Sequence, residues 1–268
     1  MKLHTVKLHT VLVALTVQGA MITTPAIAET PEEQGLKVAQ AVKQSNIGWK
    51  DSETSLKLVL RNAANQESTR EVRSKTLEVE GDGDKSLSIF DHPRDVKGTA
   101  FLSFSHTTTP DDQWLYLPAL KRVKRIASRN KSGPYMGSEF SYEDLASFEV
   151  EKYTYKLLGE KPCPAGTCYE LEQYPTDKYS GYTRLISLID KDEYRNWQTT
   201  FYDRKNSLLK TLTVDSFKQY QGQFWRAEKM TMVNHQTKKS TDVIFGEYKF
   251  GVGLKDSDFN KNSLKRAK

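Results

Sequence analysis

The sequence is poor in cysteine, in long apolar runs and in the motifs that build reaction centres. Two cysteines in 268 residues exclude a disulfide-dense scaffold and a multi-cysteine metal cluster. Hydrophobic residues are 37% of the chain and mean hydropathy is −0.66, against an apolar share of about 45–50% in ordinary soluble domains. A multi-span helical membrane protein is thereby excluded. Fifteen glycines and nine prolines are too few for a low-complexity chain, and 10% aromatics argue against disorder. There is no G-x-S-x-G elbow, no P-loop, no G-x-G-x-x-G and no H-E-x-x-H. His92, His106 and His235 have no ligand spacing among themselves, and Asp82-Gly83-Asp84 lacks the remaining ligands of a calcium loop. These absences predict no catalytic residue, no metal and no cofactor. Forty Lys and Arg against 34 Asp and Glu give a net charge of +6, too mild for a nucleic-acid partner.

What is present begins with an address. Lys2 and Lys7 precede an apolar stretch from Leu8 to Ile22, and Ala26-Ile27-Ala28 follows Pro25. A basic start, an apolar middle and a small-x-small end form a secretory signal peptide, residues 1–28, cleaved after Ala28. No cysteine follows the cleavage point, so lipid anchoring there is not expected. The remainder, 29–268, reads as one domain in the periplasm. In that oxidising compartment Cys163 and Cys168, around Pro164-Ala165-Gly166-Thr167, are expected to pair and close a hairpin.

Thr30, Pro31 and Glu33 form a helix start with a capping box, and Leu36, Ala39, Val42 and the stem of Lys43 follow at helical spacing. The period then changes to two. Leu56, Leu58 and Leu60 alternate with polar residues, and strands are expected at 72–79, 87–91, 99–106, 114–117, 149–158, 168–174, 183–190, 197–203, 208–217, 224–233 and 241–250. Gly81-Asp82-Gly83-Asp84 is a hairpin turn. Many short strands with regular turns predict an antiparallel all-β sheet or barrel. Its convex side should face water, and its apolar concave side should be covered by the first helix and the irregular segment 128–147.

Residues 93–145 carry the most information. Three ordered blocks stand out: VKGTAFLSF (96–104), QWLYLPALKRVKRI (113–126) and GSEFSYEDL (137–145). In the last, Ser141 and Asp144 have capping spacing for a short helix. With these blocks the chain resembles the outer-membrane lipoprotein-sorting protein family, the LolA-like periplasmic carriers, in the branch found beside RND-type exporters. The resemblance implies a mainly β fold with a few helices: a single curved antiparallel sheet forming a half-open barrel with a helical lid over an apolar cavity. It implies a non-enzymatic carrier of a lipid, of lipoprotein acyl chains or of similar hydrophobic cargo. The implied partners are an inner-membrane RND-type exporter and an outer-membrane acceptor. The alternative is an accessory module that stays docked on such an exporter. An apolar cup suffices for such cargo, because each buried CH₂ contributes about 0.8 kcal/mol. Candidate cavity residues are Phe101, Trp114, Leu115, Tyr116, Leu117, Met136, Phe140 and Tyr142. Candidate docking residues are Lys121, Arg122, Lys124 and Arg125, which suit anionic headgroups or an acidic partner.

Overall fold

Thr30 starts the first ordered element. Its hydroxyl accepts the Glu33 amide, and the Glu33 carboxylate accepts the Thr30 amide, so α1 (Pro31–Gln44) opens with a complete capping box. The computed structural model describes residues 1–2, 28–262 and 264–266. The proposed signal peptide therefore lies, apart from residues 1, 2 and 28, outside the described residues. The buried stripe of α1 runs through Gly35, Val38 and Ala39, with Val42 packed beside it, so Ala39 and Val42 lie where expected and the stripe is offset at Leu36. Leu36 is exposed. Gly35 explains the offset: a Cβ there would meet the backbone of Lys156 and Leu157 at 2.9 Å. The helix is thus pressed directly onto a strand backbone.

That backbone belongs to one fourteen-stranded sheet. Its strands are β1 (Asp51–Arg61), β2 (Glu67–Leu77), β3 (Lys85–His92), β4 (Ala100–Phe104), β5 (Asp112–Leu117), β6 (Arg122–Ile126), β7 (Tyr153–Cys163), β8 (Gly166–Pro175), β9 (Tyr182–Asp190), β10 (Asn196–Asp203), β11 (Leu208–Tyr220), β12 (Phe224–Asn234), β13 (Ser240–Phe245) and β14 (Lys249–Phe250). The order is β6-β5-β4-β3-β2-β1-β13-β12-β11-β10-β9-β8-β7, with β14 added to β1. Every pairing is antiparallel. The two meanders meet at β1 and β13, and the sheet stays open between β6 and β7. Two expected strands change. The one expected at 241–250 breaks at Gly246, which packs against Ser55. The one expected at 149–158 begins as a single 3-10 turn and becomes β7 at Tyr153.

One apolar cluster contains residues from β1, β2, β3, β4, β5, β6, β9, β10, β12 and β13. Strands so far apart in the order share a core only when the sheet curls around it. The segment 127–152, joining the two open edges, fills that concavity with Tyr135 and Phe140 and is called the strap here. The convex side is not simply wet. Leu87, Ile89, Ala100 and Leu102 pack there beneath Phe259 and Leu264 of the C-terminal tail. The expected all-water convex face fails because the tail folds back over one arm. A third cluster holds α1 against Tyr155, Leu171 and Ile189. Cys163 and Cys168 form a disulfide at the tip of the β7–β8 hairpin.

Candidate functional site

The alternation in β3 decides what lies inside. Leu87 and Ile89 turn outward to the tail cluster, so Ser86 and Ser88 turn inward. With Ser74 and Thr76 of β2 they make one wall of small hydroxyl residues. Leu56, Leu58, Met230 and Val243 supply an apolar wall, and Tyr135, Phe140 and Leu145 of the strap close the chamber. Its volume is about 320 Å³, within the range of small-ligand pockets, roughly 300–1,000 Å³. The space exists because serines, not leucines, face inward from β2 and β3.

Thr76, Asp84 and Ser147 line this chamber and also a wider cleft of about 1330 Å³, so the two adjoin. The cleft lies at one end of the sheet, among the end of α1, residues 48–52, 76–84 and 193–196, Trp225 and Arg226. A polar collar marks the junction. The Asp84 amide donates to Ser147 Oγ (3.2 Å), and Ser147 Oγ donates to Glu149 (2.7 Å). Lys43 of α1 pairs with Glu149 at 2.8 Å. Burial pushes the Asp84 carboxyl up to about 6.

Just before that collar the strap is pinned by a buried ion pair. Asp144 Oδ2 accepts from Lys210 Nζ at 2.5 Å, with both side chains nearly sealed from solvent. Tyr182 donates its hydroxyl to Asp144 Oδ1 at 2.6 Å. Lys210 also donates to the Glu139 carbonyl (3.0 Å), and Asn234 to the Glu139 carboxylate (2.7 Å). Asp144 therefore does more than cap its turn, although the Ser141–Asp144 box is present. Glu143 is engaged separately, by the Gly181 amide and Lys131.

Of the expected cavity residues, Phe101 and Phe140 line the chamber itself. Leu115, Leu117, Met136 and Tyr142 belong to the concave core around it. Trp114 and Tyr116 do not join them. They alternate onto the convex face, where Trp114 packs edge-on to Phe104. One strand cannot send 114 and 115 to the same side, so both aromatics are corrected to the tail cluster. Lys121, Arg122, Lys124 and Arg125 are all exposed, and Arg125 pairs with Asp112. Lys121 and Arg122 stand at the opposite end of this arm from the cleft, since Arg122 pairs Leu117 while the cleft borders the start of β3, whereas Arg125 lies toward the cleft end, where Asp112 links it through His106 to the cleft-lining Asp82. Sequence reasoning did not single out Ser86, Ser88, Met230, Val243 or Asp84. The signal was the phase of alternation in β3, which is ambiguous when both faces are covered. His106 pairs with Asp82 at 2.7 Å and His235 with Thr211 at 2.9 Å. Among the described residues no cluster of three His, Cys, Asp or Glu could hold a metal ion, and no helix is long and apolar enough to cross a membrane.

An open curved sheet, strapped across its concave face above an apolar chamber, defines a LolA-like half-barrel. Solved structures give this class its family. An outer membrane lipoprotein-sorting protein domain from Vibrio parahaemolyticus is 57% identical, with a TM-score of 0.86 over 88% of this chain and 100% of that one. A DUF1329 family protein from Desulfovibrio piger is 28% identical, with a TM-score of 0.84 over 88% and 100%. A LolA superfamily protein from Nitrosomonas europaea shares the fold at 17% identity and TM-score 0.68, over 85% and 98%. A family model described as an uncharacterized protein matches residues 82–266. No curated protein matches the chain. The chain belongs to the outer membrane lipoprotein-sorting protein family and has the fold of the LolA superfamily structure.

Proposed function

We propose that the protein is a periplasmic carrier, without catalytic activity, that holds a lipid, lipoprotein acyl chains or similar hydrophobic cargo and passes it between the inner and outer membranes. The observation that carries this reading is the apolar chamber adjoining the open cleft. A tail in the chamber leaves water, at about 0.8 kcal/mol per CH₂, while a headgroup stays in the wetter cleft. The name of the Vibrio relative, a lipoprotein-sorting domain, points the same way. Residues 1–28 serve as the export signal, and 29–268 act as a single carrier domain.

In this reading the basic corner at 121–125 docks the carrier. Lys121, Arg122 and Lys124 form no ion pair among the described residues, and Leu120 beside them is 67% exposed. Docking through Lys121 and Arg122, on an anionic bilayer or an RND-type exporter, leaves the cleft at the far end free. A non-shuttling accessory module of the exporter is the second reading, favoured by that same separation of corner and cleft.

Native mass spectrometry of the mature protein from periplasm, with solvent extraction of the ligand, separates the two. A stoichiometric, releasable lipid establishes the carrier. Protein without lipid that also refuses a fluorescent fatty acid sinks it and leaves the docked module. Ser86→Trp, which fills the chamber from a half-buried site, should abolish uptake while leaving the far-ultraviolet circular dichroism spectrum unchanged.

A further inference from the structure

The cleft carries a cation that forms no direct ion pair among the described residues. Arg226, near the start of β12, lines it. Its guanidinium lies 5.6, 5.9 and 5.2 Å from the ring centroids of Trp49, Phe224 and Phe250. Nη1 donates to Asn46 Oδ1 at 2.7 Å and to the Trp225 carbonyl at 2.9 Å. Among the described residues no carboxylate pairs with Arg226, and Nε and Nη2 have no protein acceptor. These nitrogens are not sealed away, because Arg70 Nε is the single buried side-chain nitrogen or oxygen without a partner among the described residues.

The acids of the cleft are occupied elsewhere. Glu78 accepts the Gly48 and Lys50 amides at 2.6 and 2.7 Å. Glu149 pairs with Lys43, Asp82 with His106, and Glu193 accepts the Trp225 indole N–H at 3.0 Å. Asp51 accepts the Val252 amide. Glu80 and Glu151 stand exposed at the rim in water. Lys50, exposed on the same cleft, forms no ion pair among the described residues. A half-buried cation without a counter-ion is costly, and a ligand oxyanion on its free N–H groups recovers that cost. Asp84 and Glu78 are within electrostatic reach of Arg226 without touching it, and Asp84 lines both cleft and chamber. Burial raises its carboxyl to about 6, so only below that pH, in its protonated form, does it donate to an anionic oxygen.

We propose that Arg226, on its platform of Trp49, Phe224 and Phe250, is the headgroup subsite for an amphiphile with an acidic oxyanion head, carboxylate or phosphate, whose tail enters the chamber. This rests on the carrier reading and narrows its cargo. The neutral probe N-phenyl-1-naphthylamine tests it on the mature chain, displaced by palmitate, palmitoyl lysophosphatidic acid or hexadecanol at pH 8. The wild type should favour at least one acidic amphiphile over hexadecanol by roughly ten-fold or more, the scale of charge-assisted hydrogen bonds. Whichever acid competes better identifies the head as carboxylate or phosphate. Arg226→Gln should erase the margin while leaving probe and hexadecanol binding intact, and Arg226→Lys should keep most of it. A wild type with no such margin, or a margin that survives in Arg226→Gln, overturns the subsite. If Arg226→Gln does not fold, the wild-type margin and its loss at high salt decide. Probe binding without charge preference sinks the subsite alone, whereas no probe binding at all sinks the carrier reading with it.

Discussion

Two acidic residues on the strap side of the barrel do opposite work. Asp144 is a buried charge with a buried partner, Lys210. Removing one member of such a pair strands the other. Asp144→Ala should therefore lower unfolding free energy by about 3–5 kcal/mol in urea titrations. Lys210→Met should cost less, because Asp144 keeps the Tyr182 hydroxyl and the Ser141 amide. Equal losses would mean that the ion pair does not anchor the strap. Asp84 is a half-buried acid, raised to about 6 by burial, whereas an unfolded aspartate titrates at about 3.9. Between those values the folded chain binds more protons. Its favourable contribution is complete below about pH 4 and is lost as pH rises through about 6. Asp84→Asn should match the wild type at pH 4 and exceed it above pH 6 by on the order of 1–2 kcal/mol, with exposure reducing the effect. A difference that does not grow with pH would refute the burial of this carboxyl.

The strap makes the element scale decisive. Its aromatics close the concave face, and Phe101, Tyr135 and Tyr142 contact one another at centroid distances of 5.2, 5.6 and 5.8 Å. The edge strand β6 is its counterpart on the surface: five residues, three basic and exposed. Short, charged edges resist pairing with other sheets, and the same charges fit the docking proposed above. Reversal of Lys121, Arg122, Lys124 and Arg125 to Glu should leave the melting temperature nearly unchanged, because of these four only Arg125 has an ion-pair partner among the described residues. Affinity for anionic vesicles should fall by about 1 kcal/mol per charge removed. Vesicle and exporter binding that does not change would eliminate the docking role. At the far edge, the Cys163–Cys168 link encloses a very small loop, so its reduction should cost only about 2 kcal/mol and leave ligand uptake intact.

At the scale of the whole molecule the barrel has two unlike ends. Glu139 of the strap is tied to the ends of β11, β12 and β13 through Lys210, Asn234 and Thr241, which plugs one end. The other end opens as the cleft. A ligand that binds only the folded barrel stabilises it by mass action, about 2.7 kcal/mol at a hundred-fold excess over its dissociation constant. For a chain of this size that raises the melting temperature by roughly 5–10 °C. Calorimetry should find the increase with a saturating acidic amphiphile in the wild type and not in Ser86→Trp. An equal increase in both would place binding outside the chamber.

Local chemistry was legible in the sequence by itself. The Thr30–Glu33 box started α1, the Ser141–Asp144 box marked the strap's turn, period-two patterning announced the strands, and the spacing around Pro164-Ala165-Gly166-Thr167 closed the disulfide. These depend on neighbours a few residues apart, so the chain encodes them directly. The ordered blocks between 96 and 145 also carried the family. The tertiary structure alone decided which side of each strand is inside. Leu87 and Ile89, or Trp114 and Tyr116, satisfy a period of two whichever way they face. The C-terminal tail covers the convex side as well as the strap covers the concave one, so hydrophobicity does not break the tie. Folding the tail onto β3–β5 sends the leucine and isoleucine outward and the serines inward, and that choice makes the chamber. Arg226 is the same kind of case: an ordinary charged residue on an alternating strand until Trp49, Phe224 and Phe250, from three separate parts of the chain, close around it.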